Sequence, residues 1–179
     1  MGRRGFLIRI GQGDLMSLRG DLEKLSAKYW QNEQVQIRPI TTESDLIYAG
    51  YECQLKEEQK SLVNPFWFSI GRAYLFREDH YPCIIYNSFH DPVGFINLSK
   101  WLGCGDAYSW SYYIDQNHQG KGYGKLAAQL AIQILKAANP DKKIKLAAEA
   151  KNIKAQALYM SLGFERLAEM DGDDLVFGL

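Results

Sequence analysis

The chain has 179 residues, a length that suits a single domain. Hydrophobic residues make up 46% of it and charged residues 23%, a balance that excludes broad disorder. Its 21 basic and 21 acidic residues give a formal net charge of 0, so no global basic field indicates nucleic acid or an anionic membrane as a partner.

Cysteine and histidine usage points to a reducing compartment and to no metal. Cys53, Cys83 and Cys104 are few and widely spaced, which argues against a disulfide framework or a zinc finger. The three histidines show no metal-ligand spacing, and we expect them in loops. No apolar run is long enough to span a membrane, so the sequence predicts a cytoplasmic protein.

The first predicted element is an amphipathic helix in an N-terminal extension, residues 1–33. Apolar side chains recur there at spacings of three and four, namely Leu15, Leu18, Leu22, Leu25 and Tyr29. The helix would run from Asp14 or Ser17 to about Tyr29. Because so short a helix is marginal alone in water, its stripe must be buried on its own domain or on a second subunit. We favour the second possibility, and therefore a homodimer.

From residue 34 onward, strands and helices alternate. The predicted strands are residues 36–40, 82–86, 92–98, 107–114, 143–148, 164–168 and 175–179. The predicted helices are residues 42–60 and 64–78, an apolar stripe at 126–138, and residues 152–163. The last two strands form a hairpin over the turn at residues 171–174.

A glycine-rich loop, Gln119 to Gly124, joins a predicted strand to a predicted helix. Three alternate glycines at such a junction form an anion cradle, because backbone N–H groups at a helix N-terminus point outward and the helix dipole favours negative charge. The loop fits neither the Walker A pattern nor the Rossmann pattern. It does fit the pattern Q-x-x-G-x-G.

A second segment, Asn152 to Phe164, reads N-x-x-A-x-x-x-Y-x-x-x-G-F. Together the two motifs resemble those of the GNAT superfamily of N-acetyltransferases, over residues 34–179. The resemblance implies a mixed α/β (α+β) fold, in which a mostly antiparallel twisted sheet of about six to seven strands is flanked by about four helices. It also implies acetyl-CoA as co-substrate and no metal.

The resemblance assigns the cofactor site residue by residue. The end of the strand before the loop would receive the cofactor along its backbone, and the loop would hold the pyrophosphate. The implied cofactor-binding residues are Tyr112, Tyr113, Ile114, Gln119, Gly120, Lys121, Gly122, Tyr123, Gly124, Lys125, Asn152, Ala155 and Tyr159. Residues 116–154 carry eight lysines against two acids, a net charge of +6, which suits the phosphates of coenzyme A.

Two catalytic residues follow from the same resemblance. Tyr159 matches the family tyrosine that protonates the departing thiolate, and its reference pKa near 10 keeps it protonated at neutral pH. Polyamine acetyltransferases place a carboxylate in the middle of the strand before the loop, where this chain has Trp110. Glu149, at the end of the next strand, is our substitute for the base; its other interpretation is a surface acid beside Lys151.

The acceptor is predicted from acidic segments outside the basic half. Residues 43–58 and residues 165–179 each have a net charge of −4, which would attract a cationic amine. The chain is also similar to bacterial spermine/spermidine acetyltransferases. We therefore expect a small cationic amine, most simply a polyamine. The alternatives are a protein or peptide amine, an aminoglycoside, or a non-catalytic acyl-CoA-binding regulator.

Overall fold

The fold is built on one seven-stranded sheet with helices on both faces. The structure is a computed structural model that describes residues 17–103 and 106–179. The sheet order is β1-β2-β3-β4-β5-β7-β6, antiparallel everywhere except between β4 and β5. This architecture confirms the mixed fold predicted from the sequence.

Strand bounds follow the predicted ones to within a few residues. The seven strands are β1 (Val35–Pro39), β2 (His80–Asn87), β3 (Pro92–Lys100), β4 (Ala107–Ile114), β5 (Lys143–Ala148), β6 (Glu165–Asp171) and β7 (Asp174–Gly178). His80, expected in a loop, is the first residue of β2 and is only 3% exposed, because its side chain packs inward beneath a helix.

The described part of the chain has five α-helices. They are α1 (Leu18–Glu23), α2 (Glu43–Ile47), α3 (Phe66–Leu75), α4 (Tyr123–Ala138) and α5 (Ile153–Ser161). None of the described helices is long and apolar enough to cross a membrane.

The helix predicted over residues 42–60 is much shorter than expected. A capping box at Thr42 starts it, but the helix ends at Glu52 after one π-helical turn, and a separate 3₁₀ turn follows at Glu57–Gln59. Beyond it, Asp115 accepts a hydrogen bond from the backbone N–H of Gln54 at 2.7 Å, and the Gln54 carbonyl accepts one from Gln116. These tertiary bonds hold the chain in an extended conformation where local propensity favours a helix.

Two hydrophobic cores lie on opposite faces of the sheet. The larger one packs α1, α4 and α5 against one face, centred on residues such as Ile96, Leu130 and Ile134. The smaller one, below α2 and α3, contains Ile84, Phe95 and other side chains. The sheet is therefore covered on both sides, and its remaining opening lies between β4 and β5.

The N-terminal stripe docks on its own domain, which corrects the preference for a subunit contact. Leu18 and Leu22 are fully buried in the larger core, and Leu25 packs against that core. Leu15 lies outside the described residues. The helix is also shorter than predicted, ending at Glu23 before a separate 3₁₀ turn at Ala27–Trp30. The stripe thus gives no reason to expect a homodimer, which stays a prediction, as does the division of the chain at residue 34.

We expect Leu22→Ala to lower the free energy of unfolding by about 2–5 kcal/mol, because it leaves a cavity in the larger core. Chemical denaturation measures the loss, and the matched control is Leu75→Ala on α3, where the side chain is 70% exposed. If Leu22→Ala instead changed the molecular mass measured by light scattering and lost little stability, α1 would belong to a subunit interface.

Candidate active site

The main cleft opens where β4 and β5 separate. These parallel strands pair only through Ala107 with Lys143 and Tyr108 with Ile144, and then diverge. The fork leads into a cleft of about 850 Å³ that continues between α3 and α5. A cleft at the end of a fork between parallel strands can take an extended ligand that completes the interrupted ladder.

One edge of β4 lacks a strand partner over residues 109–114. Its other edge pairs with β3 along its full length, but no residue of β5 pairs with it beyond Tyr108. The backbone N–H groups on this edge can therefore bind amide groups of a ligand, or stabilise an oxyanion that develops beside them. Tyr112, Tyr113 and Ile114, predicted to receive the cofactor, line the cleft here.

The glycine loop lies at the mouth of this cleft and is open to solvent. Gly120 and Gly122 have φ angles of 78° and 86°, and a Cβ on either would meet nothing within 4 Å. Gly122 is the N-cap of α4, a helix of 16 residues whose first turn has no acidic residue and no side-chain cap. Exposed, uncapped N–H groups at the start of a long helix form an anion site.

The remaining loop residues hold the loop in place or border it. Gln119 donates to the carbonyl of Ile114 at 2.9 Å and to Oε1 of Gln59 at 2.8 Å, so its side chain anchors the loop. Tyr112 donates to the carbonyl of Gly124 at 3.1 Å. Lys121 and Lys125 are exposed at the mouth, while Tyr123 packs its ring near His118.

Helix α5 forms the wall opposite the glycine loop. Asn152 is its N-cap and accepts a hydrogen bond from the N–H of Ala155 at 3.2 Å. Asn152, Ala155 and Tyr159 all line the cleft, so the structure brings together the predicted residues of α5 and those of β4.

Tyr159 is positioned by aromatic packing. Its ring centroid lies 5.9 Å from that of Phe164 and 5.7 Å from that of Phe177, and its side chain is 9% exposed. Burial raises the pKa of Tyr159 to about 12, so its hydroxyl stays protonated well above neutral pH. A protonated phenol in the cleft wall can donate a proton to a leaving thiolate.

Three carboxylates meet where β5 ends beside the β6–β7 turn. Glu149, Asp171 and Asp174 line the cleft, and Glu149 forms an ion pair with Lys151 at 2.8 Å. Burial raises the pKa of Asp174, and the nearby carboxylates raise it further. Sequence reasoning had chosen Glu149 as the base and missed Asp174, whose raised pKa makes it a stronger proton acceptor than an ordinary aspartate.

Trp110 occupies the middle of β4 with its side chain 5% exposed and lining the cleft. Its indole packs edge-on against Phe164, and Nε1 is buried without a partner among the described residues. The position that holds a carboxylate in polyamine acetyltransferases therefore carries a donor here, and the base must come from elsewhere.

Sequence reasoning also missed a polar patch on the α3 side of the sheet. In the strand register, Asn97 lies opposite Ser111, and Ser99 lies opposite both His80 and Ser109. All five residues line the cleft, next to the apolar row of Ile84, Phe95 and Tyr113. The available signal was polar residues at alternate positions of two otherwise apolar strands.

Few of the acids counted in the sequence face the cleft. Asp45 caps α2 and accepts a hydrogen bond from Tyr86, while Glu57 pairs with Lys60 and Glu169 with Lys145. Within the two acidic segments, the acidic residues that line the cleft are Glu58, Asp171 and Asp174.

Comparison with solved structures identifies similar folds. A spermidine N-acetyltransferase from Vibrio cholerae, in complex with CoA and spermine, matches with a TM-score of 0.64 and 17% identity, over 82% of this chain and 94% of the other. A ribosomal-protein-S5-alanine acetyltransferase from Vibrio fischeri matches with a TM-score of 0.63 and 17% identity, over 83% and 94%. At such identities the likeness concerns the fold alone.

Sequence comparison gives a partial relative and a family. The chain is 31% identical over 90 residues to a mycothiol acetyltransferase from Beutenbergia cavernae, covering 49% of this chain and 30% of that protein, so it spans less than a third of its relative. The profile of the Acetyltransferase (GNAT) family matches residues 45–164, more than half of the chain. With the forked sheet and the glycine loop in place, this match shows that the chain belongs to the GNAT acetyltransferase family.

Proposed function

We propose that the protein is an N-acetyltransferase that moves the acetyl group of acetyl-CoA to a small amine. The observation that carries the proposal is the fork between β4 and β5, whose unpaired edge runs from the glycine loop to Tyr159 in a single cleft. The buried, protonated phenol of Tyr159 in this cleft favours a catalyst over a chain that only binds acyl-CoA, because it can protonate a leaving thiolate.

The cofactor fits the residues that surround the fork. The exposed N–H groups of the glycine loop would hold the pyrophosphate, with Lys121 and Lys125 beside it. The pantetheine arm would lie along the free edge of Tyr112–Ile114, with Asn152 and Ala155 on the other side. Family membership supports acetyl-CoA as the co-substrate.

The transfer itself needs three groups. The acceptor nitrogen bonds to the acyl carbon, a backbone N–H of β4 stabilises the oxyanion that forms, and the C–S bond then breaks. Glu149 or Asp174 takes the proton that the ammonium group loses, directly or through a water. Tyr159 gives its proton to the departing thiolate, and its phenolate regains a proton when the acylated nitrogen loses its second one to form the amide.

The acceptor proposed from the sequence is a polyamine such as spermine or spermidine. Glu149, Asp171 and Asp174 support it, because they make one end of the cleft acidic. One neighbour in fold is named for spermidine, while another is named for a ribosomal protein and the sequence relative for mycothiol. A peptide or aminoglycoside amine therefore stays an alternative.

Release of free thiol from acetyl-CoA, measured with and without amines, tests both levels of the proposal. We expect release only when an amine is present. At low salt we expect spermidine to react faster than hexylamine, with a difference that shrinks as salt screens the carboxylates. If the two amines reacted at equal rates, or if the difference did not depend on salt, the polyamine proposal would be wrong and the acetyl-transfer proposal would be unaffected. No release with any amine, although acetyl-CoA binds, would favour the regulator.

A further inference from the structure

The end of the cleft that lies far from Glu149 and Asp174 is lined by hydrogen-bond donors. From the β4–β5 pairing at Ile144, five residues of chain lead to Glu149, a separation of roughly 16 Å. Next to the paired end lie Arg72 of α3, His80 of β2 and Asn97 of β3. Neither the proposed cofactor site nor the proposed acetyl transfer uses any of these three residues.

Of the three guanidinium nitrogens of Arg72, only Nε has a hydrogen-bond partner among the described residues. Its Nε donates to Nε2 of His80 at 3.1 Å. Within the described residues no carboxylate forms an ion pair with Arg72; the charge of Asp79 acts on it, but Asp79 forms its ion pair with Lys100 at 3.2 Å. The terminal edge of the guanidinium, which has the geometry for a two-pronged bond to a carboxylate or phosphate, has no protein partner in this part of the chain.

His80 makes the neighbouring amide a donor as well. Burial and Arg72 lower the pKa of His80 to about 4, so the ring is neutral. Since Nε2 accepts from Arg72, the ring proton is on Nδ1, which lies 3.0 Å from Nδ2 of Asn97. Two donors cannot face each other. The side-chain amide of Asn97 therefore takes the orientation turned by 180°, in which its Oδ1 accepts a hydrogen bond from Nδ1 of His80. That turn removes the unpaired buried Oδ1 of Asn97.

The surroundings of this cluster add further donors. Lys100 and Trp101 also line the cleft, and Nε1 of Trp101 is buried without a partner among the described residues. Among the described residues that line this end of the cleft, the charged groups are Arg72 and Lys100, and Asp79 pairs with Lys100. Unpaired donors around an arginine disfavour an ammonium group and favour an anion.

We infer that the acceptor is an amine that also carries an anionic oxygen group, a carboxylate or a phosphate, which binds to Arg72. The spacing between neighbouring strands sets the length of this acceptor. Asn97 lies one strand away from Ser111, and His80 lies two strands away from Ser109. About 5–10 Å therefore separate the anionic group from an amine at the fork. This inference rests on the proposed acetyl transfer, and it replaces the polyamine acceptor with a zwitterionic amine.

Binding to the protein saturated with CoA tests the inference without requiring turnover. The probes are γ-aminobutyrate, its uncharged amide, aminoethyl phosphate and spermidine, each titrated by calorimetry. We expect γ-aminobutyrate to bind about 10- to 100-fold more tightly than its amide, the usual effect of a charge-assisted pair. The phosphate probe decides which of the two anions fits better.

Arg72→Gln should abolish the preference for the acid over the amide, and Arg72→Lys should retain part of it. The matched control is Arg166→Gln on β6, an exposed arginine away from the cleft, which should behave as the wild type. Equal affinity of the wild-type protein for γ-aminobutyrate and its amide would overturn the inference without any variant. The inference would also fail if spermidine bound more tightly than γ-aminobutyrate and kept that affinity in Arg72→Gln.

Thiol release with the same probes separates the two proposals. Transfer to amines without the preference for acids would leave the acetyltransferase standing and remove the anion site. Arg72-dependent binding of γ-aminobutyrate without any acetyl transfer would uphold the anion site and remove the proposed function.

Discussion

Gly122→Val is expected to weaken acetyl-CoA binding by about 10- to 100-fold, the equivalent of one or two charge-assisted hydrogen bonds. Gly122 is the N-cap of α4 with φ of 86°, and its N–H and those after it form the predicted pyrophosphate cradle. A branched side chain at this position strains the backbone and covers the cradle. It does not disturb the core, because a Cβ there meets no atom within 4 Å.

The matched control is Gly172→Val, in the turn between β6 and β7. Gly172 also has a positive φ, of 64°, and open space around its Cβ, so its substitution carries the same backbone cost of about 1–2 kcal/mol. We expect Gly172→Val to lose similar stability and to keep its affinity for acetyl-CoA in calorimetric titration. Wild-type affinity in Gly122→Val would remove the glycine loop from the cofactor site.

The loop and the strands around it were predictable because their signals are local. Alternation of apolar and polar residues defines β4 and β5, whose observed bounds coincide with the predicted ones. The C′ glycine of α5, Gly163, adopts the expected left-handed conformation with φ of 90°. A free backbone edge at the end of β4 was expected only through the resemblance, since the divergence of β4 from β5 has no signature of its own in the sequence.

What failed to be predicted depends on contacts between distant segments. Residues 53–56 leave the predicted helix because Asp115, some sixty positions later, binds the backbone of Gln54. The Arg72–His80–Asn97 cluster joins one helix and two strands, and no spacing along the chain reports it. The count of acids by segment also overstated the negative charge that faces the cleft. Several of those carboxylates instead cap a helix or form ion pairs away from it.

Tyr159→Phe is expected to lower the turnover number by about 10²–10⁴-fold, the usual contribution of a general acid. The variant keeps the aromatic packing against Phe164 and Phe177, so the fold and the affinity for acetyl-CoA should change little. Because burial raises the pKa of Tyr159 to about 12, its hydroxyl stays protonated throughout the neutral and mildly alkaline range. The fall in rate on the acidic side of the pH–rate profile should then reflect protonation of the base and of the amine. The midpoint of that fall should be the same in the variant.

Tyr81→Phe is the matched control for this substitution. Tyr81 is as buried as Tyr159, at 8% against 9% exposed, and packs against Trp30 in the larger core without lining the cleft. Steady-state kinetics with saturating acetyl-CoA should leave Tyr81→Phe near the wild type. If Tyr159→Phe also kept its turnover within a factor of two, Tyr159 would be a packing residue. Tyr112, whose hydroxyl lies in the same cleft but donates to the Gly124 carbonyl, would then be the next donor to test.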